Sequence, residues 1–114
     1  MSPITTHILD IGAGHPARGV SARLEFSEAP GQWTSIGEGT TDTDGRIGNL
    51  LPDAHSLKQG IYQITFQTGT YYKSLEQETF FPSVSIVFEV RKLGEHYHVP
   101  LLLSPLGYST YRGS

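Results

Sequence analysis

Apolar residues in this chain recur at every second position, and that period decides the fold class before any other feature. Val20, Ala22, Leu24 and Phe26 alternate with Ser21, Arg23, Glu25 and Ser27. Tyr62, Ile64 and Phe66 alternate with Gln63, Thr65 and Gln67. Val84, Ile86, Phe88 and Val90 share a face opposite Ser85 and Glu89, and Tyr97, Val99, Leu101 and Leu103 repeat the pattern. Successive side chains of an extended strand point to opposite sides, so each run reads as a strand with one buried and one wet face. Turn-forming clusters punctuate the runs: Gly12 to Pro16, Ala29-Pro30-Gly31, Asp42 to Gly45, Pro52-Asp53 and Ser104 to Gly107. Only Thr70 to Gln77 lacks alternation and carries the helix formers Lys73, Leu75, Glu76 and Gln77. It predicts one short α-helix of about two turns, closed before Pro82. The expected architecture is all-β, an antiparallel β-sandwich of seven to eight strands with that single helix.

With 114 residues and no internal repeat or linker, the chain is expected to form one domain over 1–114 and to bury roughly two-thirds of its unfolded surface. Cysteine is absent, which removes thiol nucleophiles, disulfides and Cys-based zinc sites. The formal net charge of −3 argues against nucleic acid as a partner, since such domains carry basic patches. No apolar run approaches the roughly 20 residues that span a bilayer, so no membrane partner is expected. The first ten residues contain His7 and Asp10 and lack a basic segment before an apolar one. That is unlike a signal peptide, and the expected location is cytoplasmic.

Candidate chemistry gathers on histidines. If Tyr97, Val99, Leu101 and Leu103 face the core, His96 and His98 point outward beside Pro100 and Leu102. Apolar residues on an outer face usually mean that a partner covers it, which places His98 in a cleft between subunits. A His-x-His pair on a strand can chelate a metal. No third ligand stands at suitable spacing, so no metal or other cofactor is expected. His7 lies in a first strand of ambiguous parity, with Leu9 and Ile11 on its side and Thr6 and Ile8 on the other. Thr41-Asp42-Thr43-Asp44-Gly45-Arg46 is a tight turn that leaves Arg46 opening the next strand. Gly12-Ala13-Gly14 precedes no helix and is no phosphate loop. The tail, Gly107 to Ser114, is richer in tyrosine and arginine than a frayed chain end requires.

These residues also resemble a known family. Thr6-His7-Ile8-Leu9-Asp10 with Gly14-His15-Pro16-Ala17 is similar to its opening strand and turn, and Thr41 to Arg46 to its second motif. Phe80-Phe81-Pro82, Ser85 to Val90 and His96 to Pro105 resemble its third block, and Tyr108 to Ser114 its closing signature. The family is that of the transthyretin-like 5-hydroxyisourate hydrolases, and the likeness covers almost the whole chain. It implies hydrolysis of a cyclic amide C–N bond in 5-hydroxyisourate, giving 2-oxo-4-hydroxy-4-carboxy-5-ureidoimidazoline on the route from urate to allantoin. It further implies an eight-stranded transthyretin fold and a homotetramer with active sites at its subunit interfaces.

From the resemblance, with the chemistry such a reaction needs, His7 and His98 are expected to orient and deprotonate water and return its proton to the leaving nitrogen. Which of them is the base stays open. Arg46 is expected to orient the substrate and stabilise the oxyanion. Tyr111 is expected to bind or stack on the flat ring, Arg112 to pair across the interface, and Ser114 to bring a hydroxyl and the terminal carboxylate into the site. Two other classes stay in view. One is a non-enzymatic transthyretin-like carrier of a small aromatic ligand, although transthyretin lacks the closing Tyr-Arg-Gly-Ser and the paired histidines. The other is an immunoglobulin-like adhesion or sugar-binding module.

Overall fold

The computed structural model describes residues 2–114 and builds two sheets from the alternating runs. Strands β1 (Ile4–Asp10), β2 (His15–Pro16), β3 (Ser21–Ala29), β4 (Gln32–Thr40), β5 (Arg46–Ile47) and β6 (Gly60–Phe66) precede helix α1 (Thr68–Ser74). Strands β7 (Val84–Val90), β8 (Tyr97–Ser104) and β9 (Gly107–Thr110) follow it. One sheet runs β2-β1-β8-β9, with β5 also paired to β1; the other runs β4-β3-β6-β7. The strand count exceeds the expected seven to eight because β2 and β5 are two-residue pieces that the alternation is too short to reveal.

A single apolar cluster draws on both sheets. Ile4 and Ile8 of β1 and Leu101 and Leu103 of β8 meet Leu24 of β3 and Ile64 and Phe66 of β6, all at most 1% exposed. The parity read from the sequence therefore holds for β3, β6 and β8. In β7 the inward set is Val84 and Val90, with Ile86 and Phe88 only partly covered, because this strand lies at the sheet's edge.

Two expectations are corrected. The pairing of β1 with β8 is parallel, whereas an antiparallel arrangement was expected throughout. These strands are the first and nearly the last in the chain, so no hairpin ties their directions, and a parallel pair needs only a long crossover. The helix begins two residues earlier than Thr70 and ends at Ser74 rather than Gln77. Its position is set by tertiary contacts. Gly69 donates its N–H to the Pro82 carbonyl at 2.9 Å, where a Cβ would come within 2.5 Å of that oxygen. Tyr71 and Tyr72 are buried, and both hydroxyls donate to the 1%-exposed Asp10, at 2.9 and 3.3 Å. The Ala13 N–H adds a third bond to that carboxylate at 3.1 Å. Burial first, and Asp10 second, push both phenol pKa values well above the usual range. After Leu75, Glu76 adopts a φ of 57°, which closes the helix.

Candidate active site

The outer face of the β1–β8 pair collects the chemistry. In β1, Ile4, Thr6, Ile8 and Asp10 turn inward, which puts Thr5, His7 and Leu9 on the opposite side. The parallel register sets Thr5 beside His98 and His7 beside Pro100. On the other edge of β1, His7 stands directly across from Arg46, a pairing that holds Cβ atoms about 5 Å apart. Thus two strands distant in sequence, and a third from the turn between them, put His7, Arg46 and His98 on one surface.

Arg46 owes its place to the turn before it. Gly45 has a φ of 77° and lies so close to β1 that a Cβ would come within 2.4 Å of the Ile8 carbonyl oxygen. That position accepts only glycine. Asp42 organises the rest, its carboxylate accepting the N–H groups of Asp44 and Arg46 at 2.9 and 3.0 Å. The bond from Arg46 N–H is the largest influence holding the Asp42 pKa below its usual value, with the Arg46 and His7 charges adding to it. The Asp44 carbonyl receives a hydrogen bond from His7 Nε2 at 2.8 Å. A carbonyl only accepts, so His7 carries a proton on Nε2. Among the described residues, no carboxylate lies within ion-pairing distance of the Arg46 guanidinium.

Arg46, His98 and Ser114 line one open cleft of about 340 Å³, together with Thr5, Thr6, Ile47, Gly48 and His96. His98 is half-buried, and its pKa is held below 6.5, chiefly by desolvation and then by the charges of His96, His7 and Arg46, against a hydrogen bond with Thr5. It is therefore a neutral imidazole at neutral pH. The tail reaches this cleft by crossing His98. Gly113 donates its N–H to the His98 carbonyl at 2.8 Å, and a Cβ there would lie 2.5 Å from His98 Cδ2. Among the described residues, no three His, Asp or Glu side chains converge as a metal site would require.

Tyr111 and Arg112 sit elsewhere. They line a neighbouring groove of about 300 Å³ with Ile86, Phe88, Tyr97 and Val99, and only His98 borders both spaces. The convergent polar groups, Arg46, His96, His98 and Ser114, lie in the cleft. Arg112 pairs within its own chain, to Glu95 at 3.1 Å, and lies over the Tyr97 ring at 4.5 Å. In one chain, then, the tail divides around His98: Tyr111 and Arg112 on one side, Ser114 on the other. Sequence reasoning missed Thr5 and Asp42, whose side chains touch His98 and position Arg46. The motif Asp-x-Asp-Gly carried a signal for Asp42, and nothing carried one for Thr5.

The profile of the HIUase/Transthyretin family matches residues 4–113. The chain belongs to that family. Among its HIUase/Transthyretin relatives, the 5-hydroxyisourate hydrolase of Salmonella typhimurium is 49% identical over 111 residues, covering 97% of this chain and 80% of the relative. A solved structure of Klebsiella pneumoniae 5-hydroxyisourate hydrolase superposes with a TM-score of 0.84 at 36% identity, covering 97% of this chain and 98% of the other. Sea bream transthyretin in complex with thyroxine gives a TM-score of 0.90 at 34% identity, covering 97% and 94%. Within the family, backbone shape does not separate a hydrolase from a carrier; only the side chains on the shared face can.

Proposed function

We propose that this protein hydrolyses 5-hydroxyisourate, as a single domain over 1–114 acting in the cytoplasm within a homotetramer whose active sites lie at subunit interfaces. The reading rests on one observation above the others. A chain 49% identical to a 5-hydroxyisourate hydrolase gathers a guanidinium with no carboxylate partner among the described residues, a half-buried imidazole whose pKa is lowered, and Ser114 around one cleft.

His98 serves as the general base. Burial, with neighbouring charge adding to it, lowers its pKa and favours the unprotonated ring, and the Arg46 cation would also stabilise a developing anion. It takes a proton from water as the water oxygen adds to the ring carbonyl carbon. Arg46 meets the resulting oxyanion with its planar fork of donors. Collapse of that intermediate breaks the C–N bond, and the departing nitrogen takes a proton back from the histidine pair, leaving an N–H and a carboxylic acid that loses its proton to solvent. His7, pinned through Nε2 to Asp44, orients substrate and assists this return. Ser114 closes one wall with its hydroxyl. For Tyr111 and Arg112 we infer an anchoring role, with the Glu95 pair and the Tyr97 contact fixing the tail from which Ser114 projects.

5-Hydroxyisourate generated in situ by urate oxidase absorbs in the ultraviolet and decays spontaneously. Catalytic amounts of this protein are expected to accelerate that decay many-fold. The alternative, a carrier of a small aromatic ligand, is favoured by the likeness to thyroxine-bound transthyretin; it predicts slowed or unchanged decay, and binding only in proportion to protein added.

A further inference from the structure

Thr5 carries a hydrogen-bonding arrangement that the catalytic assignment above does not use. Its residue is 7% exposed on β1, and its single hydroxyl touches two imidazoles: His96 Nε2 at 2.9 Å and His98 Nδ1 at 2.8 Å. One hydroxyl has one proton to give. It cannot donate to both nitrogens, so at least one ring nitrogen is protonated and donates to Thr5; two arrangements have the hydroxyl donate to the other ring, and in a third it accepts from both. In the first, His98 Nδ1–H donates to Thr5, Thr5 O–H donates to His96 Nε2, and His98 Nε2 keeps its lone pair. In the second, His96 Nε2–H donates to Thr5, Thr5 donates to His98 Nδ1, and the His98 proton moves to Nε2. Only the second takes the base away from Nε2, the ring nitrogen that has no partner among the described residues; a hydroxyl accepting from both rings leaves it there, as the first does.

We propose that Thr5 is a positioning residue that holds His98 as its Nδ1–H tautomer, with His96 as the acceptor that orients the hydroxyl. Chemistry favours this arrangement. When His98 takes a proton from water at Nε2, the Nδ1–H bond to Thr5 persists, so the chain His98–Thr5–His96 needs no rearrangement during the reaction. The charged and titratable groups around it work in the same sense. Burial first, and then His96 just before β8, His7 on β1 and Arg46 on β5, oppose a resting positive charge on His98. The stacked rings of His96 and His98, 6.2 Å apart between centroids, disfavour two imidazolium ions. Among the described residues, the two imidazoles are the only side chains hydrogen-bonded to the Thr5 hydroxyl, and the nearby Glu95 is engaged by Arg112.

The inference rests on the hydrolase reading for its consequence but not for its test, which reads the tautomer directly by 15N NMR of imidazole-labelled protein without substrate. Wild-type His98 is expected to show a protonated Nδ1 and an unprotonated Nε2. Thr5→Val, which keeps the shape and loses the hydroxyl, is expected to shift His98 toward the Nε2–H form and to lower kcat about 10- to 100-fold, a cost of the size found when the hydrogen-bond partner that orients a metal-bound histidine is removed. KM should change little. Thr5→Ser, which restores the hydroxyl, should recover the wild-type 15N pattern and most of the turnover. A wild-type His98 protonated at Nε2, or a Val variant with unchanged 15N shifts, overturns the proposal, as would equal impairment in the Ser and Val variants with the tautomer unmoved. Absence of turnover by the wild-type protein would instead remove the hydrolase reading and leave the tautomer result intact.

Discussion

Substituting Gly113 by alanine adds one methyl group at the point where the tail crosses His98. The position has an ordinary backbone conformation, so alanine strains nothing there by itself; the cost is contact. The added Cβ would lie 2.5 Å from His98 Cδ2 and 3.3 Å from Cγ. Carbon atoms settle at about 3.5 to 4.0 Å, so ring and tail must separate by about 1 Å. The tail is held here by the Gly113 N–H bond to the His98 carbonyl and by Arg112, and the ring by its contact with Thr5. Both are tethered, and the displacement falls on the proposed base, on Ser114 or on both. A 1 Å misplacement near reacting groups costs about 100-fold. The expected result for Gly113→Ala is therefore a kcat about 100-fold lower in the ultraviolet decay assay, with the melting temperature lowered by only a few degrees because the tail can lift without opening the core. A variant with wild-type kcat and KM would refute the reasoning that the tail's approach to His98 matters for turnover.

Other expectations follow from the same geometry. Arg46→Lys keeps the charge but loses the planar fork, and turnover should fall about 100- to 1,000-fold; steady-state kinetics at matched folded concentration check this. Because His98 titrates below 6.5 in the folded chain, the acid limb of kcat/KM should have its midpoint below that pH. The unfolded chain binds this proton more readily, so the His98 contribution to stability is complete above about 6.5 and is lost as pH falls toward the folded pKa; urea midpoints and rates across pH 4.5 to 8 would reveal an opposite trend. Asp10→Ala strands the buried Tyr71 and Tyr72 hydroxyls, and should cost about 3 kcal/mol by chemical denaturation.

The period-two pattern disclosed the strands because their polar and apolar faces differ sharply, as in Ala22-Arg23-Leu24-Glu25. It was silent on β1, where Thr6 is buried and satisfies its hydroxyl on the Val99 carbonyl at 2.6 Å; a polar residue turned inward erases the parity signal. Pairing direction was invisible for β1 and β8 because nothing local links them. The helix boundaries escaped because burial of Tyr71 and Tyr72 on Asp10 outweighed the propensities of Lys73 to Gln77. Within the site, strand parity turned His98 outward, whereas the turn motif by itself read Arg46 as a solvated residue opening the next strand, and only the family resemblance gave it a role. The direction of the tail was not legible, since whether Tyr111, Arg112 or Ser114 enters the cleft depends on the irregular backbone after Thr110. Thr5 could not be found at all, because its importance comes from two histidines more than 90 positions away.

The central claim, that 5-hydroxyisourate is hydrolysed on the outer face of the β1–β8 pair, is tested most directly by the decay of freshly generated substrate with wild-type protein and with His98→Asn side by side. The account predicts rapid decay with nanomolar wild-type protein and a rate lowered at least about 100-fold in a variant whose fold and assembly are unchanged, given that the base is lost. Wild-type turnover by His98→Asn, or no acceleration by the native protein, would contradict it.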